Sequence, residues 1–244
     1  MKKALMILAS VALGASMAAA DTNVWSANTV GFQNVTLPVG QYTALGWQFA
    51  LVGGNTNIPI ASITNYLNQD TGGSFNTADG IRKWRPATSD FQNYYLHGTT
   101  GWRKAGETTQ TTDTILLGEM VFFSKLTASA SLVELGEVPR YNVKVSVPVG
   151  VYTAMCNPFP GEISIASITN YLNQDTGGSF NTADGIRKWR PATSDFQNYY
   201  LHGTTGWRKA GETTQTTDVM APGEGFFFSK LTASSEITFT TPIP

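Results

Sequence analysis

The stretch "NQDTGGSFNTADGIRKWRP" occupies Asn68 to Pro86 and returns unchanged at Asn173 to Pro191. It lies inside a longer identity: Ile60 to Asp113 and Ile165 to Asp218 match over 54 residues at an offset of 105. Similarity continues on both sides. "GEMVFFSKLTAS" (Gly118 to Ser129) answers "GEGFFFSKLTAS" (Gly223 to Ser234), and "LPVGQYTAL" (Leu37 to Leu45) answers "VPVGVYTAM" (Val147 to Met155) at an offset of 110. A period of this size implies tandem modules rather than a solenoid of short units. Modules over residues 21–136 and 137–244 are expected, joined near "ELGEVPR", Glu134 to Arg140. Packing does not require loop residues to match between copies, so identity that extends through the loops points to a recent duplication.

Within each copy the pattern is mostly β. "VGFQNVTL" (Val30 to Leu37) and "YNVKVSV" (Tyr141 to Val147) alternate apolar with polar residues, as half-buried strands do. "FQNYYLHG", "EMVFFSKL" and "SEITFTT" are further strands, with turn chemistry in "ATSD" and "HGTTG". One segment departs from this. In "IASITNYLNQ" the residues Ile60, Ile63, Tyr66 and Leu67 follow helical spacing, which predicts one short helix per copy ending near Asn68. The expected fold class is all-β with that one helix in each repeat, as two tandem sandwich-like or barrel-like modules.

The repeated Asp-Thr-Gly raises the question of a bilobal aspartic protease, in which two such motifs bring together aspartates that share a proton. Those motifs follow apolar strand residues, whereas Asn68 and Gln69 precede Asp70 here, so a turn is the better reading. His97 and His202, the only histidines, sit at equivalent strand ends without acidic or cysteine partners at ligand spacing. No nucleophile elbow is present. Asp70, Asp79, Asp90, Glu107 and Asp113 do not form the alternating acidic loop that calcium favours. No catalytic residue, metal ligand or cofactor is therefore expected.

The chain opens with "MKKALMILASVALGASMAAA": two lysines, a short apolar run and a small-residue finish, as in a signal peptide cleaved after Ala20. The apolar run is shorter than a membrane span requires, and no later segment is long enough to cross a bilayer. Without residues 1–20 there remain 14 Lys+Arg against 17 Asp+Glu, a net charge of −3 that gives no general attraction for nucleic acid or anionic lipid. A secreted, extracellular or cell-surface location is expected, with the periplasm as an alternative. Cys156 is the only cysteine, so stability has to come from the core rather than from an internal disulfide.

The densest chemical cluster is aromatic and basic. Trp84, Tyr94, Tyr95 and Trp102, with Trp189, Tyr199, Tyr200 and Trp207 in the second copy, stand among Arg82, Lys83, Arg85, Arg103 and Lys104. Flat aromatic faces beside planar polar groups suit sugar rings, so these eight residues form the candidate glycan-binding face. The competing expectation is that they fill the core.

"VYTAMCNPFPGEISI" (Val151 to Ile165), then "GIRKWRPATSDFQNYYLHGTTGWRKAG" and "APGEGFFFSK" (Ala221 to Lys230), resemble a module of exported bacterial proteins of unassigned function. "SANTVGFQNVTLPVG" (Ser26 to Gly40) is similar to the opening of such proteins. The resemblance implies an all-β secreted or surface module and transfers no catalytic residue. The first copy departs from the pattern, having "LGWQFALVGG" in place of "MCNPFPGE" and "LLGEMVFF" in place of "APGEGFFF".

The resulting functional expectation is a non-enzymatic structural or adhesive protein that self-associates through terminal strands. The alternative is a protein that binds cell-surface polysaccharide.

Overall fold

A computed structural model describes residues 30–241; the leader and the proposed cleavage site lie outside the described residues. The chain is all-β. In the first half the strands are β1 (Val30–Leu37), β2 (Tyr42–Gly46), β3 (Asn57–Pro59), β4 (Gly80–Arg85), β5 (Asp90–His97), β6 (Gly101–Lys104), β7 (Thr114–Leu116), β8 (Met120–Ser124) and β9 (Ala130–Glu137). The second half follows with β10 (Val143–Val147), β11 (Tyr152–Cys156), β12 (Ile163–Ser164), β13 (Gly185–Arg190), β14 (Asp195–His202), β15 (Gly206–Lys209), β16 (Val219–Met220), β17 (Gly225–Ser229) and β18 (Ser235–Phe239). Each half builds a five-stranded antiparallel sheet, ordered β2-β8-β4-β5-β6 and β11-β17-β13-β14-β15. Two-stranded ribbons, β1–β9 and β3–β7 or β10–β18 and β12–β16, complete each half.

The predicted helix is absent. Ile60 to Ser62 make a single 3₁₀ turn, and Tyr66 instead bridges to Leu132. The β-branched residues Ile60, Ile63 and Thr64 are poor helix formers. The carbonyls a helix would use are also taken: Ile63 accepts the Trp102 indole N–H at 2.6 Å, and Thr64 accepts from the Gln69 side chain. Ile60, Ile63 and Tyr66 are buried as their spacing suggested, but by an irregular segment, and Leu67 is exposed. The chain passes between the halves from the end of β9 at Glu137 to the start of β10 at Val143.

Alternation along the strands explains how the halves meet. On one face of the first sheet, Ile81, Tyr94, Leu96, Trp102, Val121 and Phe123 cover that half's own core with Ile58, Ile60, Ile115 and Leu132. The opposite face carries Tyr42, Trp84, Phe91, Met120 and Phe122, which pack against Tyr152, Trp189, Phe196 and Phe227 of the second half. Because both faces of β8 are covered, "MVFF" is a continuous buried run rather than an alternating one.

The contacts between halves are reciprocal. Trp84 Nε1 donates to Tyr152 O at 2.6 Å, while Trp189 Nε1 donates to Tyr42 O at 2.8 Å. Gly46 N donates to Gly223 O and Cys156 N to Gly118 O, both at 2.9 Å. These pairs are related by the repeat offsets, so the halves form the intramolecular counterpart of a twofold, isologous dimer.

Candidate functional site

The duplicated Asp-Thr-Gly loop is held by a buried ion cluster. Asn68 takes a left-handed backbone (φ 54°), which asparagine tolerates well, and turns the chain into Asp70. A Cβ on Gly72 would lie 2.2 Å from Thr77 O, so only glycine fits the third position of the motif. Lys125 reaches in from the end of β8, with Nζ 2.6 Å from Asp70 and 2.8 Å from both oxygens of Asp79, and it also donates to Asn68 O. Asp79 further accepts from the Tyr66 hydroxyl, Asp70 N and Leu126 N. Lys230, Asp175, Asp184 and Tyr171 repeat this arrangement in the second half.

The electrostatics fit a structural clasp. Partial desolvation opposes ionisation of Asp70, but hydrogen bonds from Lys125 and from the hydroxyl and N–H of Thr127 outweigh it and hold its pKa at about 2. Asp175 is held at about 2 in the same way by Lys230 and Thr232. Burial and the neighbouring Asp79 carboxylate push the Tyr66 hydroxyl far up, so it remains a donor. Asp70 and Asp175 are therefore each ion-paired within their own half, which is not the proton-sharing arrangement of an aspartic dyad. The same lysine occupies the carboxylates that a calcium ion at this loop would use. Among the described residues no group of three or more His, Cys, Asp or Glu is placed to hold a metal ion.

The candidate glycan face does not form, and that expectation is corrected. Tyr94, Trp102, Tyr199 and Trp207 point into the two inner cores and are 2 % exposed or less. Trp84 and Trp189 point the other way, into the contact between halves, where Trp84 meets Phe227 at 5.4 Å and Trp189 meets Phe122 at 5.3 Å between ring centroids. Tyr95 and Tyr200 are buried as well. Rings on opposite faces of one sheet, most of them out of solvent, offer no common platform for a sugar. Arg82, which could have flanked such a platform, stacks between Tyr42 and Phe75 at 4.5 and 4.9 Å. His97 Nδ1 accepts the Thr99 N–H at 3.3 Å, as a turn histidine does, and His202 is equivalent. Cys156 is fully buried, out of reach of a partner thiol.

The surface that stands out was not marked by the motifs. The outward face of β1 and β9 carries four apolar side chains, Val30, Phe32, Val133 and Leu135, at 63, 74, 49 and 66 % exposed, beside Asn34, Thr36, Ser131 and Glu137, and Phe32 lies directly opposite Leu135. The inward set is Gly31, Gln33, Val35 and Leu37 against Gly136, Glu134, Leu132 and Ala130. The two glycines fix this phase. A Cβ on Gly31 would lie 2.4 Å from the Phe49 ring, and one on Gly136 would lie 2.2 Å from Ala50 O, so no larger residue can face inward there. At the repeat offsets these four positions become Arg140, Asn142, Thr238 and Thr240 in the second half, of which Thr238 lies in β18 and the others outside the β10–β18 pairing. That contrast between copies was the available signal.

Comparison with protein-family models, with curated proteins and with solved structures found no match. Among the described residues, no helix is long and apolar enough to cross a membrane.

Proposed function

We propose that this chain is an exported, non-enzymatic structural or adhesive protein that associates with its own copies through the outer face of the β1–β9 ribbon. The observation that carries this reading is the exposed group Val30, Phe32, Val133 and Leu135, unmatched in the second half. Contiguous exposed apolar side chains on a folded protein mark interaction surfaces. The ribbon also suits strand addition, since among the described residues β1 pairs with β9 and with no other strand. The leader-like first 20 residues and the resemblance to exported modules support an extracytoplasmic setting.

Sedimentation velocity on the chain from Asp21 onward, over a wide concentration range, tests the proposal. The wild type should shift to larger species as concentration rises. Phe32→Lys combined with Leu135→Lys should remain monomeric with an unchanged far-ultraviolet spectrum. A wild type that stays monomeric throughout would refute the reading.

A further inference from the structure

Beneath the same ribbon lies a set of buried polar groups without partners. Gln33 and Glu134 face one another across β1 and β9, where the second half has the apolar pair Val143 and Phe239. Glu134 is 2 % exposed and Gln48 is 1 % exposed. No side chain among the described residues pairs with either carboxylate oxygen of Glu134, which is approached only by the Gln48 backbone N–H, and the side-chain polar atoms of Gln48 and Gln33 Oε1 have no hydrogen-bond partner there. Folded proteins leave few such atoms, and each is costly, so several around one carboxylate call for an explanation. Packing does not supply it, because the second half fills the equivalent positions with apolar side chains.

A cavity of about 220 Å³ lies at the junction of the halves. Gln33 and Glu134 line it together with Val35, Leu45, Trp189 and Pro222. Gln33 Nε2 is anchored on Pro222 O at 3.2 Å, which leaves its oxygen as the available acceptor. Burial raises the Glu134 pKa to about 8, and the facing Gln48 N–H offsets only part of that. The other ionisable groups nearby do not compensate its charge: Glu224 at the rim is paired with Lys188 at 2.9 Å, and Cys156 is a buried thiol whose own pKa is raised by burial and then by Glu134.

A fitting ligand must bring one positive charge, several N–H donors for separate acceptors, and an apolar stem for walls of Trp189, Val35 and Pro222. A calcium ion would require six to eight oxygen ligands and more than one carboxylate. A primary ammonium on an alkyl chain meets all three requirements, and Trp189 adds an aromatic face for the cation. We propose that the cavity lined by Glu134 and Gln33 binds a primary alkylammonium group, presented by a free diamine or by a lysine side chain.

Calorimetric titration of the chain from Asp21 onward with 1,5-diaminopentane and with Nα-acetyl-lysine-N-methylamide tests this and distinguishes the two sources by which binds more tightly. Pentanol, the uncharged control, should not bind. At pH 7, where Glu134 is mostly protonated, binding should release close to one proton per ligand, read from titrations in buffers of different ionisation heat; at pH 9 the release should be much smaller. Glu134→Gln should weaken binding by about thirtyfold or more. The pair Gln33→Val and Glu134→Phe, which copies the second half, should abolish binding while the circular dichroism is unchanged. No binding of either amine, undiminished binding to Glu134→Gln, or a Glu134-dependent site for calcium or sodium in place of the amines would overturn the proposal.

Discussion

Replacing Lys125 with alanine lowers the unfolding free energy by about 3–5 kcal/mol, and Lys230→Ala does the same in the second half. Lys125 and Asp79 are both completely buried, so removing the cation strands a carboxylate in the interior. The loss is not recovered by also removing Asp79, because that carboxylate binds the Tyr66 hydroxyl and the N–H groups of Asp70 and Leu126. A total stability of about 5–15 kcal/mol makes this one contact decisive for folding. Urea denaturation measures it, and a loss below about 1 kcal/mol would contradict the clasp. The same cluster sets an acid limit. The folded pKa of Asp70 lies below its unfolded value, near 3.8, so its contribution is complete above that pH and is lost as the pH falls to about 2. Asp175 adds an equal dependence, and Lys125→Ala should flatten the first half's share of the acid profile.

The second large effect is at the contact between halves. Trp84→Ala and Trp189→Ala should each cost about 3 kcal/mol, since each removes a large ring and its indole hydrogen bond to the other half. The two sites are linked through Phe122 and Phe227, whose tilted rings have centroids 6.2 Å apart, so the losses should not be additive. Each half keeps its own core around Trp102 or Trp207. The double variant should therefore unfold in two steps where the wild type unfolds in one. Denaturation followed by tryptophan fluorescence and far-ultraviolet dichroism would show the split; coincident transitions in the double variant would contradict it.

Strand positions were legible in the sequence because period-2 alternation and turn residues act locally. "FQNYYLHG" and "EMVFFSKL" fall on β5 and β8, and "SEITFTT" on β18. The helix expectation failed because Ile60, Ile63 and Tyr66 satisfy their buried spacing without a helix once Trp102 and Leu132 claim that backbone. Composition could not separate a core ring from a platform ring. That distinction depends on Trp84 and Tyr94 facing opposite sides of one sheet, and on a second sheet covering one of them. Gln33 and Glu134 were hidden for a related reason, since a polar residue on an alternating strand is normally assigned to the solvent face. Only the steric demand of Gly31 and Gly136 against Phe49 and Ala50 reverses that assignment.

The central claim is that the duplicated aromatic face is an internal contact between the two halves. Nuclear Overhauser measurements on the indole N–H protons of the chain from Asp21 onward test it most directly, with Trp84→Phe used to assign one of the pair. Trp84 should show contacts to Tyr152 and Phe227, and Trp189 to Tyr42 and Phe122, with both protons slow to exchange. Contacts confined to each proton's own half, with rapid exchange against solvent, would show that the halves do not meet this way and would return these rings to the surface.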